Sequence, residues 1–522
     1  MWLLQSVVTL FLLLGAVNGA NILCYFTAPS LSHQITFHPI IRELANRGHN
    51  LTVITPNPMR DANLTNVDEI DVEEISYYSW NKYNISSFGV NEEVASTDLT
   101  PIINAYMEIV DSQLSHPRVK ALINGSKSNH FDIFITEHPH YFTTPFKRIY
   151  GTGMVGIGSL PLHMGSNGMI GNFEHSSLFP DLNLPYSNKL TFWQKIHSYI
   201  HSTIGVTMMR RIKPRLFEIL TPHFGAELVN EIDVLSKEYD LVMVNYNPIL
   251  HAPRPNVPAV IEFNGIHIKP PKPLPEDIKA FLDSATNGAV YLSFGSNIKS
   301  TSLSLKKRNL ILEALSELPF KVLWKFEADL DNLPPNVRIM KWTPQQDILR
   351  HPNVKIFVTQ GGLQSLDEAM YTKTPVLAIP FFGDQRGNAA KVEEAGIGKR
   401  LNFASITKDT FKSSILEIVN DSKYKLRLEE VYDILTDQPM SAVDKTVWWI
   451  EYVIRHKGAR HMRSPTVDAT FIEYYMIDVI GFLLGVVLLK LFFIYIGVKL
   501  MIKLAKKCLF GRVDNAEKLK KN

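Results

Sequence analysis

Residues 342–388 read WTPQQDILRHPNVKIFVTQGGLQSLDEAMYTKTPVLAIPFFGDQRGN. Lys355 to Thr359 is a short apolar run of strand type, and Gln360-Gly361-Gly362 breaks it. From Leu363 to Tyr371 the spacing is helical, with Leu363, Leu366, Ala369 and Met370 on one face. Strand, glycine turn and helix in that order bring backbone N–H groups and the positive end of a helix to one point. Such a point binds an anion, and the diphosphate of a nucleotide is its usual occupant. Gln345, Gln364, Ser365, Glu368, Asp384 and Gln385 supply polar groups around it that can hold a nucleotide sugar. Two glycines alone would suit any βα turn; the length and spacing of the whole pattern favour the specific reading.

Strands and helices alternate on both sides of this stretch. Before it, Ala289–Ser293 is a strand ending in Phe294-Gly295-Ser296, Leu303–Glu317 a helix, and Lys321–Phe326 and Val337–Trp342 further strands; Thr374–Ile379 follows it. At the start of the chain, Asn21–Thr27 is a strand, Phe37–Asn46 a helix and Leu51–Thr55 a strand. Such a βαβ opening predicts a parallel sheet with crossover helices. Phe131–Thr136, Met154–Ile157 and Leu241–Asn245 continue it. Lys269–Pro275 (KPPKPLP) is a stiff extended linker, and two similar α/β units joined by it imply a cleft between them. From Gly165 to about Lys195 the chain is polar and irregular, which suits either a binding loop or lid, or disorder. Thr410–Asn420 and Leu426–Leu435 read as helices, and amphipathic Val443–Arg455 is expected to pack on the body.

The chain has 522 residues, a net charge of +3 and two cysteines. No basic stripe interleaved with aromatics points to nucleic acid. Met1 to Gly19 has the apolar core of a signal peptide, with Val17 and Gly19 suiting the cleavage site. Val479–Val498 is apolar for about the length that spans a bilayer, interrupted only by Lys490. The basic residues after it place the tail in the cytosol and the body on the far side. Lys518 and Lys520 resemble the dilysine signal that returns type I membrane proteins to the endoplasmic reticulum. The expected division is therefore a signal peptide (1–19), a first domain (20–265), a linker (266–280), a second domain (281–440), packing helices (441–475), a span (476–502) and a basic tail (503–522). Cys24 and Cys508 fall on opposite sides of that span and form no pair. Sequons occur at Asn50, Asn63, Asn84, Asn124 and Asn420. Asn50 opens an apolar strand, where burial would block modification.

Trp342-x-Pro344-Gln345, Leu349-x-His351-Pro352, the Gly-Gly turn, Glu368, Pro375, Pro380, Asp384-Gln385 and Ser293-Phe-Gly-Ser296 together resemble the UDP-glycosyltransferase family. So do Ser32-His33, Arg47-Gly48-His49 and Asp478-Val-Ile-Gly-Phe482. The match runs over essentially the whole chain, and the Thr359-Gln360-Gly361-Gly362-Leu363-Gln364-Ser365 turn is similar to arthropod and baculovirus members. The resemblance implies an α/β GT-B fold, two Rossmann-like domains facing a cleft, plus one carboxyl-terminal transmembrane helix. The second domain is then expected to bind the UDP-sugar and the first the acceptor. By position, Trp342 would stack on the uracil, Gln345 bond the uridine and Glu368 hold the ribose hydroxyls. Gly295, Ser296, Gln360, Gly361, Gly362, Gln364 and Ser365 would frame the diphosphate, and Asp384 and Gln385 would bond the sugar.

The resemblance also makes His33 the base, placed on the loop after the first strand; His38 and His49 compete less well. Glu137 stands where the family has the aspartate that orients this histidine, and Asp132 lies at the wrong end of its strand. Gln360 replaces a histidine common in other members, exchanging a charged donor for a neutral one. The expected reaction is inverting transfer of a hexose, with glucose favoured over glucuronate, to a hydroxyl of a small lipophilic acceptor. No cofactor beyond the UDP-glucose co-substrate and no metal is expected, and homo-oligomerisation is left open. The other reading is a noncatalytic, membrane-anchored carrier of lipophilic ligands on the same scaffold.

Overall fold

The computed structural model describes residues 19–87, 90, 100–125, 130–163 and 165–520, with side chains up to residue 508. The leader up to residue 18, part of the polar stretch before helix Thr100–Ser115, and the dilysine side chains lie outside the described residues. Within residues 1–464, the described residues form two parallel sheets.

The first sheet has the order β3-β2-β1-β4-β5-β6-β7. Its strands are β1 (Asn21–Tyr25), β2 (Asn50–Thr55), β3 (Val67–Asp71), β4 (Ile133–Glu137), β5 (Gly153–Gly158), β6 (Leu241–Asn245) and β7 (Val260–Phe263). The second has the order β10-β9-β8-β11-β12-β13. It comprises β8 (Ala289–Ser293), β9 (Lys321–Lys325), β10 (Val337–Met340), β11 (Val354–Thr359), β12 (Val376–Ala378) and β13 (Gly398–Arg400).

The helices that matter for the site are α1 (Leu31–Asn46), α2 (Gln345–Leu349), α3 (Leu363–Tyr371) and α4 (Gln385–Glu394). Two more bear on the architecture, α5 (Ala442–His456) and α6 (Ile477–Lys520).

Apolar residues cover both faces of each sheet, which is why the strands read as continuous apolar runs rather than as alternations. In the second sheet, Val290, Leu292, Ile356 and Val358 face one core, while Tyr291 and Phe357 face the other. The strand order reverses between β1 and β4 in the first sheet and between β8 and β11 in the second. Loops leaving neighbouring strands diverge at such a point and open a crevice at the carboxyl ends of the strands. One crevice therefore falls after Tyr25 and Glu137, the other after Ser293 and Thr359.

α1 begins six residues earlier than the spacing predicts, at Leu31, so His33 lies on its first turn and not on the preceding loop. Pro39 is tolerated inside it, although a proline there removes one helical hydrogen bond. The stretch expected to be linker up to residue 280 ends earlier, because Glu276–Asp283 is helical. The irregular 165–190 segment is ordered and lies against α4, with Leu182 O where a Cβ on Gly387 would be only 2.5 Å away. Asn188 N–H donates to Glu394 at 3.2 Å, and Arg400 donates to Pro185 O at 3.3 Å. Residues 181–188 are thus a strap from the first half over the second.

α5 follows the second sheet in sequence but packs on the first. Val447, Ile450 and Val453 join that sheet's core. Arg47 holds it through Asp444 at 2.7 Å and Glu451 at 3.3 Å. His49, buried, accepts from Ala20 N–H and reaches Glu451 at 3.4 Å. Arg47-Gly48-His49 is therefore a dock for a distant helix.

The chain beyond residue 464 forms a separate unit. Its Ile477–Cys508 segment is the one helix among the described residues long and apolar enough to cross a membrane. All five sequon asparagines are exposed, Asn50 included, because it sits at the first position of β2 with its side chain outward.

Candidate active site

His33 and Glu137 meet at the crevice of the first sheet. Nδ1 of His33 is 2.9 Å from Glu137 Oε1. The glutamate is 2% exposed and the imidazole 27%, so the ring is the member that reaches the cleft. The other oxygen, Oε2, accepts from the backbone N–H groups of Thr27 and Ala28, both at 2.9 Å. His140 lies 3.4 Å from the same oxygen and bonds the Thr27 hydroxyl. Burial alone would push the Glu137 carboxyl up, but His140 and then His33 outweigh it and hold the group below the usual carboxylate range. An ionised carboxylate can only accept, so Nδ1 of His33 carries the proton and Nε2 is left as an acceptor. Asp132 is occupied elsewhere, accepting from Asn21 N–H at 2.8 Å. His38 also lines the cleft, but its Nε2 is bonded to Asn57 O at 2.9 Å.

The facing half contributes the glycine turn. Gly361 has φ +85° and Gly295 φ +77°, both in the left-handed region where glycine is favoured. A Cβ on Gly295 would also lie 2.2 Å from Gln360 Nε2, so the glutamine side chain fills the space that glycine leaves. The Thr359 hydroxyl donates to Gln360 Oε1 at 2.8 Å, which turns the amide nitrogen toward both glycine loops. The N-cap of α3 is Gly362, so no side chain caps the helix. Its first N–H, from Leu363, bonds the Asp384 carboxylate. Burial pushes the Asp384 carboxyl up, while Asn388, His33 and Leu363 N–H oppose that. His33 of one half thus acts electrostatically on Asp384 of the other.

A cleft of about 510 Å³ joins these parts. His33, Gly295, Ser296, Trp342, Gln345, Gln360, Gly362, Gln364, Ser365, Glu368, Asp384 and Gln385 all line it. Glu137 stands behind His33, and Gly361 is buried beneath the turn. Trp342 is 64% exposed, so it is not a packed strand-end residue but an open aromatic face. Glu368 accepts from Gln345 at 2.6 Å and Gln346 at 2.9 Å. A carboxylate has about four acceptor positions, so two remain for hydroxyls. The Gln364 amide donates across the cleft to Ser159 O at 2.9 Å. Gln385 Oε1 accepts from Phe381 and Phe382 N–H, which leaves its NH2 to donate.

Several lining residues were not among the sequence candidates. Lys325, at the carboxyl end of β9, donates to Gly295 O at 2.9 Å, pairs with Glu327 at 3.0 Å and lies 5.9 Å from the Trp342 ring. The strand-end rule alone would have found it. His267 and Asn297 carry no such signal, since their partners, Gln364 O and Ser30, lie far away in the chain.

A sequence model described as UDP-glucoronosyl and UDP-glucosyl transferase matches residues 22–513. UDP-glycosyltransferase UGT5 of Dactylopius coccus is 30% identical, covering 98% of each chain. An ecdysteroid UDP-glucosyltransferase of Spodoptera littoralis nuclear polyhedrosis virus is 29% identical over 88% of this chain and 93% of that one. UDP-glucuronosyltransferase 2C1 of Oryctolagus cuniculus is 28% identical over 92% and 96%. Among solved structures, the glycotransferase of kitacinnamycin superposes with a TM-score of 0.56 at 17% identity, over 84% of this chain and all of that one. VinC in complex with DTDP gives 0.52 at 15%, over 84% and 100%. At these identities the structures speak to the GT-B fold alone.

Proposed function

The chain belongs to the UDP-glucuronosyl and UDP-glucosyl transferase family, and from that premise we propose inverting transfer of glucose from UDP-glucose to a hydroxyl of a small lipophilic acceptor. The observation that carries this is the 2.9 Å His33–Glu137 pair opening into the same cleft as the Gly361–Gly362 turn. Nε2 of His33 takes the acceptor proton as the hydroxyl oxygen attacks the anomeric carbon, and Glu137 stabilises the imidazolium that forms. The carbon–oxygen bond to UDP breaks on the opposite face, which inverts the centre. Donors on the first turn of α3, with Gln360 and Ser296, receive the charge of the leaving diphosphate. Trp342 stacks on the base, and Glu368 accepts from the ribose.

Glucose is favoured over glucuronate by the distribution of cations. Arg350 bonds Asp347 at 2.8 Å, and Lys325 is engaged by Gly295 and Glu327, on the Trp342 side of the cleft. Among the described lining residues no cation is bonded to Asp384 or Gln385. A working Glu137 geometry favours an enzyme over a noncatalytic carrier. The apolar helix anchors the chain, with the body in the lumen of the endoplasmic reticulum and the basic tail in the cytosol.

Full-length protein incubated with labelled UDP-glucose or UDP-glucuronate and a phenol panel tests the reading. We expect glucoside formation, with His33→Ala lowering kcat at least 1,000-fold while UDP still binds. Folded protein that transfers neither sugar would sink the proposal, and full activity in His33→Ala would remove that residue as the base.

A further inference from the structure

Ser30 is the N-cap of α1, with extended backbone (φ −141°, ψ 111°), yet its side chain caps nothing. A serine here ordinarily accepts from an N–H of the first helical turn, which in α1 means Ser32 or His33. The hydroxyl goes elsewhere. Asn297 Nδ2 donates to Ser30 Oγ at 2.9 Å, and Ser30 Oγ is 3.2 Å from Asn297 Oδ1. Ser32 Oγ lies 3.0 Å away on the other side. Ser30 is buried, and Asn297 is half-buried. Asn297 follows Ser296 in the loop after β8 and lines the cleft. The two residues stand 267 positions apart and tie together the loops of the two crevices. A second tie, Gln364 to Ser159, joins the glycine turn to the loop after β5 and does not involve the helix of His33. A local rule broken where two halves meet is the mark of a site under functional constraint.

We propose that Ser30 and Asn297 are a positioning pair. They hold the first turn of α1, with His33 as its third residue, against the loop that receives the diphosphate. The separation of base and leaving group is thereby fixed across the two halves. Neither residue touches the reacting atoms. The proposal rests on His33 acting as base and on Gly295–Ser296 facing the diphosphate.

The test compares full-length Ser30→Ala, Asn297→Ala and the double variant with wild type. It measures steady-state transfer from UDP-glucose, UDP binding by calorimetry, thermal midpoint, and amide exchange across 31–34. Each single variant is expected to lose at least tenfold in kcat, with UDP affinity and thermal midpoint unchanged. The double variant should lose no more than the worse single one, and Ser30→Thr, which keeps the hydroxyl, should stay within threefold of wild type. In Asn297→Ala the freed hydroxyl turns back to cap α1, so exchange of the Ser32 amide slows; the His33 amide already donates to Ser30 O at 3.0 Å. Unchanged kcat in both singles, losses that multiply in the double, or a kcat loss matched by a lower thermal midpoint overturns the proposal. Exchange is read without turnover. An inactive wild type would end the transfer reading, and the pair would then be decided by whether exchange slows in Asn297→Ala.

Discussion

Glu137 carries one more methylene than the aspartate of the family pattern, and both of its oxygens are engaged. Its far oxygen is drawn back onto the N–H groups of Thr27 and Ala28, and its near oxygen still meets His33 at 2.9 Å. Glu137→Gln can keep the backbone bonds but would present an NH2 to Nδ1. The imidazole would then have to accept there and carry its proton on Nε2, where it cannot act as base. A fall in kcat of about 100- to 10,000-fold is expected, with KM for the donor little changed, measured at saturating acceptor. The depressed carboxyl also bears on stability. A carboxyl held below its unfolded value, about 4.3 for glutamate, contributes fully above that value and loses the contribution as pH falls through the lower folded one. Urea midpoints at pH 7 and pH 3 should therefore differ less in Glu137→Gln than in wild type; an equal acid loss in both would contradict it. At this scale the sequence was readable where a residue acts through its own strand or turn, as with His33, Glu137 and Glu368. It was silent on Asn297 and His267, whose partners lie in the other half or beside the linker.

The strap over α4 belongs to the scale of elements. It is held by backbone carbonyls and scattered polar side chains, so no apolar period marks it, and the sequence left lid and disorder equally open. α4 begins at Gln385, beside Asp384, so the strap presses on the helix that opens at the residues proposed to bond the sugar. Gly387→Ala would place a methyl 2.5 Å from Leu182 O, a backbone atom with little room to move. Displacement of the strap should cost about 1–3 kcal/mol of stability and raise KM for the sugar donor more than it alters kcat. Thermal denaturation with donor titration reads both; a wild-type midpoint and KM would show that the strap is not braced on α4. The parallel strands were legible because both faces of each sheet are apolar. The early start of α1 was not, since its first turn is polar and Pro39 interrupts the pattern.

On the scale of the whole molecule, the cores of both sheets are complete by Ala459. A chain ending at Ser464 is accordingly expected to fold, bind UDP and stay in the supernatant after alkaline carbonate treatment, whereas the full chain remains in the membrane pellet. Aggregation of the shorter chain, or its retention in the pellet, would show that the body needs the later unit. The two-sheet plan and the cleft were readable in advance because the linker and the two αβ repeats are local signals. The return of α5 to the first sheet was not, because an amphipathic face does not say which core it completes. That return has a consequence for synthesis. The first sheet emerges from the ribosome with an apolar face and the Arg47–His49 dock uncovered, and both wait until residues 442–456 have been made, after the entire second sheet. The amino-terminal half is therefore a unit in space but not in time. Expressed alone as residues 20–265 it should be insoluble unless the 442–456 helix is supplied with it.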